Sequence, residues 1–272
     1  MQIKNNVKVK NMQKDLKMCS LFSGIGGLEL GLEAAVPGLR TCWQVEQNEF
    51  CRRVLAEHWP DAERFDDVRT VRLEDIRDTD VLCGGFPCQD ISTLNQTGAG
   101  LAGARSGLWW EMYRLIGLAL PRVVVAENVP ALIGRGLSEV LCALARCGYT
   151  CEWDIVSAAA IGALHRRNRI FIIGYRDVTD TQRPRLEKRQ GPEAKRILPA
   201  IAGGDGRPIK PGVCPGVAGV PRGMARYRKQ ALLALGNAVV PQVAYQVGLR
   251  VNEILNGNIT DFQGIRGSGR GV

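Results

Sequence analysis

The 272-residue chain is short of several residue types, and each shortage removes a class of protein. Its only histidines are His58 and His165, so a zinc centre built on imidazole has almost nothing to draw on. Its nine cysteines are odd in number and scattered through apolar segments, which suits a reducing compartment better than a disulfide framework. No apolar run approaches the roughly 20 residues that cross a bilayer, and the first 17 residues hold no apolar block of the kind that directs secretion. The chain therefore reads as cytoplasmic, with no membrane contact and no internal repeat. Acidic residues are the scarcer charge, 27 against 36 basic, for a net charge of +9. The excess is local: residues 176–230 hold 13 basic and five acidic side chains, whereas 18–175 hold 15 and 19. A mildly acidic body joined to a cationic segment suits a polyanion binder, because neutralised phosphates release counterions. A solvated basic loop is the other reading of the same charges.

Hydrophobic residues make up 45% of the chain, enough for a large core. Apolar runs that read as strands fall at 18–22, 41–46, 80–83, 122–126, 151–158 and 169–174. Helical patterns fall between them at 28–35, 50–58, 108–120 and 137–147. This alternation predicts an α/β fold, a mostly parallel, doubly wound sheet covered on both faces. Residues 1–16 and 257–272 read as disordered tails and 17–175 as the main domain. Residues 176–228 read as a small irregular basic module without a core of its own. The stretch 229–256 reads as a helix returning to the main domain, with Val239, Val243, Val247, Val251 and Leu255 four residues apart.

Several loops carry residues suited to chemistry. The first strand runs into Ser23-Gly24-Ile25-Gly26-Gly27 and a helix, where free amides and the positive dipole end face any anionic group. The spacing is not that of the dinucleotide fingerprint, and a tight turn without a ligand stays open. Glu46 closes the next strand, placed to accept from two ribose hydroxyls, and Asp67 follows about 20 residues later, where it can pair with an exocyclic amine. Together these loops describe a nucleoside pocket, although each carboxylate alone also reads as a surface charge. Cys88, in Cys83-Gly84-Gly85-Phe86-Pro87-Cys88-Gln89, can act as a nucleophile if its thiolate is favoured and exposed. An inert buried thiol is the alternative, and Cys83 with Cys88 lacks the second pair a metal site needs. Glu127 ends an apolar strand, where partial dehydration raises a carboxyl pKa and lets it donate a proton. Arg167 and Arg169 alternate into the last strand, sharing a face that can hold a pyrimidine carbonyl, a phosphate or the thiolate loop. A surface basic cluster is again the alternative.

In this order these residues resemble the DNA cytosine carbon-5 methyltransferase family of bacterial or phage type, over about 200 residues. The matching motifs are Phe22-Ser23-Gly24-Ile25-Gly26-Gly27, Glu46, Asp67-Val68, Gly85-Phe86-Pro87-Cys88-Gln89, Glu127-Asn128-Val129, His165 to Arg169, and Gly236-Asn237-Ala238-Val239-Val240-Pro241. The resemblance implies a Rossmann-like class I fold, S-adenosylmethionine as cofactor and no metal. It places Phe22 against the adenine, Gly24, Gly26 and Gly27 near the methionine part, Glu46 on the ribose and Asp67 on the adenine amine. Val68, Pro87, Asn237, Ala238 and Val239 complete the cofactor site. Cys88 is implied as the nucleophile that adds to cytosine carbon 6, Glu127 as the acid at ring nitrogen 3, Arg167 on the cytosine carbonyl and Arg169 as support. The implied substrate is double-stranded DNA with the target base flipped out, under a mobile loop at 91–107. Gln89, Ser92, Arg183, Arg185, Lys188, Arg189, Arg226 and Arg228 are the implied nucleic-acid contacts. A restriction-modification system, with a cognate restriction endonuclease as partner, and a monomer or weak dimer belong to the same expectation. The alternatives are a transfer-RNA cytosine-5 methyltransferase and a relative that binds nucleic acid or cofactor without turnover. His165 stands where the family usually has Gln, Ala238 where it often has Ser, and Gln47 offers the adenine no aromatic surface. The recognition region is only about 50 residues long and poor in side chains that read base edges. It predicts a short or lax target sequence, or help from another chain.

Overall fold

The computed structural model describes residues 15–87, 107–163, 167–176, 195–196 and 228–257. Cys88, Gln89, Ser92, His165, Arg183, Arg185, Lys188, Arg189 and Arg226 lie outside the described residues, as do the loop at 91–106, nearly all of the basic module and nearly all of both tails. The elements are β1 (Leu16–Leu21), α1 (Gly27–Ala35), β2 (Leu39–Val45), α2 (Glu49–His58), β3 (Glu63–Phe65), β4 (Val81–Gly85), α3 (Gly107–Ala119), β5 (Val123–Asn128), α4 (Leu137–Arg146), β6 (Thr150–Ser157), β7 (Asn168–Tyr175), β8 (Lys195–Arg196), α5 (Arg228–Asn237) and α6 (Pro241–Leu255). Among the described residues no helix is long and apolar enough to cross a membrane.

The strands form one sheet in the order β3-β2-β1-β4-β5-β7-β6-β8. Neighbours from β3 to β5 are parallel, whereas β7 runs antiparallel to both β5 and β6. Successive side chains on a strand point to opposite faces, which explains the continuous apolar run of β5. Val123 and Val125 enter the core on the α1 and α6 side, and Val124 and Ala126 enter the core on the α3 and α4 side. A fully apolar strand is what a sheet buried on both faces requires. β2 carries a register shift opposite Met18 and Cys19, so Thr41 and Gln44 both turn toward α1 while Trp43 and Val45 pack on the other face.

The returning segment is two helices, not the single one expected. α5 ends at Asn237 and α6 begins at Pro241, after Val240 in extended conformation. A proline disfavours the helical region in the residue before it and suits the first helical turn, so the break falls there. Val243, Val247 and Val251 are buried as the four-residue spacing predicts, and Ile254 joins them. α6 lies directly on α1. A Cβ at Gly31 would sit 2.3 Å from the Ala244 Cβ and 2.4 Å from the Pro241 carbonyl oxygen. Two of its three nearest neighbours are backbone atoms, which cannot turn aside. Gly31→Val is therefore expected to force the helices apart and destabilise the protein by about 1–3 kcal/mol or more, read as a lower urea midpoint. An unchanged midpoint would refute this close helix contact. The far end of α6 is tied to the sheet by Arg250, whose guanidinium donates to Glu152 at 2.7 and 3.0 Å.

Candidate active site

Because β1 and β2 are parallel neighbours, the loops after them meet at one edge of the sheet. The turn after β1 holds Phe22, Gly24 and Gly26 at positive φ of 56°, 56° and 86°. Glu46 leaves the end of β2 toward this turn and is held by two backbone amides: Gly24 N–H donates to Oε2 at 2.8 Å and Asn48 N–H to Oε1 at 2.7 Å. The turn is closed from the other side by the linker between α5 and α6, for a Cβ at Gly27 would lie 2.1 Å from the Val239 carbonyl oxygen.

These pieces enclose a cavity of about 250 Å³. Of the expected cofactor residues it is lined by Phe22, Gly24, Gly27, Glu46, Asn237, Ala238 and Val239, and Glu127 lines it too. Gly26 turns away, since a Cβ there would meet the Trp59 ring at 2.3 Å. Asp67 lies outside the described lining and pairs with Arg69 at 2.8 Å, whose guanidinium holds its carboxyl below the usual range. Val68 is a core residue and Pro87 is exposed. Sequence reasoning missed Ser20, Glu29, Asn48, Cys51, Gln230, Leu233 and Ala234, all of which line the cavity, as does Ser23 of the glycine turn. Asn48 carried a usable signal, since an asparagine before a helical pattern suits a cap, and it caps α2 by accepting from Cys51 N–H. Glu29 carried none, because an acid in a first helical turn is ordinary and its burial shows only in the fold. It is fully buried, and neither carboxyl oxygen has a hydrogen-bond partner among the described residues. Burial, only partly offset by the nearby Ser20 and Ser23 hydroxyls, pushes its pKa up to about 7.

Glu127 sits near the end of β5, in register with Gly85 on β4. A Cβ at Gly85 would be 2.8 Å from Glu127 Oε2, so glycine makes room for the carboxyl group over the strand end. The antiparallel direction of β7 brings its first residues to this same edge. Arg169 Nε lies 2.9 Å from Glu127 Oε1. Burial still outweighs Arg169 and Arg167 and raises the Glu127 pKa to about 7, so it can both give and take a proton near neutrality. Arg167 donates from Nη1 to the Gly236 carbonyl at 2.6 Å, leaving Nε and Nη2 buried without partners among the described residues. The chain leading toward residue 88 is anchored: Asn128 Nδ2 donates to the Phe86 carbonyl at 2.9 Å, and the Phe86 ring packs on Trp109 at 5.0 Å. Among the described residues no cluster of three or more His, Cys, Asp or Glu could hold a metal ion.

A mostly parallel sheet with its cavity at the carboxyl edge defines a Rossmann-like fold. Solved structures share it: the Entamoeba histolytica methyltransferase EhMeth (TM-score 0.54, 18% identity, 68% of this chain and 58% of that one) and a mutant of Spodoptera frugiperda DNMT2 (TM-score 0.53, 17% identity, 68% and 56%). The family model for C-5 cytosine-specific DNA methylase matches residues 16–212, and the chain belongs to that family. It is 32% identical over 179 residues to the type II methyltransferase M.Sau3AI of Staphylococcus aureus, covering 59% of this chain and 43% of that protein. It is also 32% identical over 169 residues to the type II methyltransferase M.Bsp6I of Bacillus sp. (strain RFL6), covering 60% and 53%. The chain spans about half the length of these curated relatives. The family's cofactor is S-adenosylmethionine, and the cavity suits it. Glu46 offers carboxylate oxygens beside the turn, Phe22 an aromatic ring, and at Gly24 a Cβ would meet nothing within 4 Å.

Proposed function

We propose that this protein is a DNA (cytosine-5-)-methyltransferase that transfers a methyl group from S-adenosylmethionine to carbon 5 of a flipped-out cytosine. The observation that carries the reading is Glu127, a buried carboxyl group with a raised pKa in the same cavity as the Glu46 and Gly24 pair, beside the strand that leads to Cys88. Phe22, Gly24, Gly27, Glu46, Asn237, Ala238 and Val239 hold the cofactor, with Asp67 reaching the adenine amine once it is released from Arg69. Bound there, S-adenosylmethionine supplies an electrophilic methyl group.

Carbon 5 of cytosine is a poor nucleophile, and the protein's own groups correct that. The Cys88 thiolate adds to carbon 6 while Glu127 protonates or hydrogen-bonds ring nitrogen 3, which makes carbon 5 enamine-like. Loss of the carbon-5 proton later expels the thiolate. Arg169 holds the Glu127 carboxyl in place, and the unpaired N–H groups of Arg167 serve the cytosine carbonyl. Flipping the base costs a few kcal/mol, which Gln89, Ser92 and the basic side chains of the module at 176–228 help to offset through the DNA. That module is the target-recognition part, and a cognate restriction endonuclease belongs to the same reading. Bisulfite sequencing of DNA from a methylation-free host expressing this chain tests it, with 5-methylcytosine expected at a short recurrent sequence. Unmodified DNA, together with label from tritiated cofactor entering transfer RNA alone, would move the substrate to RNA.

A further inference from the structure

Beneath the Gly24 turn the sheet carries a polar row where an apolar one is expected. Ser20 on β1 stands in register with Gln44 on β2 and with Cys83 on β4, and Cys83 belongs to the core on the α1 side. Ser23 Oγ closes over the row, donating to Ser20 at 3.0 Å. Glu29 descends onto it from the first turn of α1. Its carboxyl group is fully buried, has no hydrogen-bond partner among the described residues, and lines the cavity together with Ser20, Ser23, Gly24 and Gly27.

A buried carboxyl group with no charged partner is costly, and the nearby Ser20 and Ser23 hydroxyls offset that cost only in part. The Ser23 hydroxyl donates to Ser20. Burial keeps the thiols of Cys19 and Cys83 neutral by raising their pKa values. Glu33, one turn further along α1, is occupied by Thr41 and the Trp59 indole. Among the described residues no basic side chain is paired with Glu29. The opposite polarity lies beside it, in the amides at the start of the nine-residue helix α1. A recess with amide donors on one wall and a lone carboxyl group on the other fits a zwitterion, with its carboxylate at the helix start and its ammonium on Glu29.

We propose that Glu29 receives the α-ammonium group of the amino-acid end of S-adenosylmethionine, and so selects an intact α-amino acid at that end of the cofactor. The proposal rests on the cofactor reading above and adds a residue to it. The charged partner Glu29 lacks arrives with the ligand, and the cation adds to the partial stabilisation of the carboxylate form by the Ser20 and Ser23 hydroxyls.

Calorimetric binding of S-adenosylhomocysteine and of its analogue with hydroxyl in place of the α-amino group tests this on the full chain. The wild type is expected to favour S-adenosylhomocysteine by roughly 10- to 100-fold, the range for a hydrogen bond to a charged group. Glu29→Gln should lose that preference and bind the analogue within about twofold of wild type. Glu29→Asp, which keeps the charge at shorter reach, should lose affinity for S-adenosylhomocysteine alone and covers the case in which the amide variant does not fold. Equal wild-type affinity for the two ligands, or a loss in either variant that is the same for both, overturns the assignment. Wild-type binding of neither ligand overturns the cofactor reading instead.

Discussion

Cys88→Ser is expected to bring methyl transfer below detection while leaving affinity for S-adenosylhomocysteine within about twofold of wild type. A serine hydroxyl ionises too weakly to add to a pyrimidine ring without a strong base beside it, whereas a thiolate is available near neutrality. Cofactor binding survives because the groups that create it lie elsewhere, at Phe22, Gly24, Glu46 and the 237–239 linker. The approach to residue 88 does not depend on the thiol either: Phe86 is held by Asn128 and Trp109. Two measurements check the expectation, methyl incorporation into duplex DNA from tritiated cofactor, and a covalent protein–DNA adduct on duplexes containing 5-fluorocytosine. Wild type should form the adduct and the variant should not. Full activity in the serine variant would sink the proposed nucleophile.

Glu127→Gln is expected to lower the rate of methyl transfer by about 10²- to 10⁴-fold, the usual contribution of a positioned acid or base. The pH dependence separates this role from mere packing. With a pKa near 7, Glu127 loses its donated proton as pH rises through neutrality, so the wild-type single-turnover rate should carry a falling limb there that the glutamine variant lacks. Stability moves in the same direction. Burial raises the folded pKa above the ordinary value of 4.5 to about 7, so the folded state holds more protons than the unfolded one between those values. The contribution of Glu127 to stability is greatest at about pH 4.5 and below, and it is lost as pH rises through 7. A variant with wild-type rate and an unchanged pH profile would remove Glu127 from the chemistry.

Much of the architecture was legible in one dimension because it rests on local periodicity. The strand at 122–126 was legible from its apolar run, in a sheet that the strand–helix alternation predicts to be covered on both faces, and Val123 to Ala126 divide between the two cores. The four-residue stripe at Val243, Val247 and Val251 marked the face of α6 that packs on α1. Glu46 was legible as the residue that ends a strand one loop away from the glycine turn, which parallel pairing of β1 and β2 turns into a contact. Pro241 signalled a break that the helical reading of 229–256 passed over, since the apolar stripe continues through Val239. β3 went unread because three residues carry too little periodicity to register.

The amino-acid sequence by itself determined which side chains are present for the chemistry, which face of each element is apolar, and in what order the loops reach the ligand edge. Only the tertiary structure decided how those loops meet. Arg169 stands at the start of its strand and would lie at the opposite edge of a wholly parallel sheet; the antiparallel direction of β7 brings it to 2.9 Å from Glu127. Gly85 leaves space for that carboxyl group, and Gly27 lets the Val239 carbonyl close the turn. Glu29 has the spacing of an ordinary first-turn acid, and packing against the sheet strips it of water. Direction, close approach and desolvation depend on residues far apart in the chain, so no local pattern encodes them.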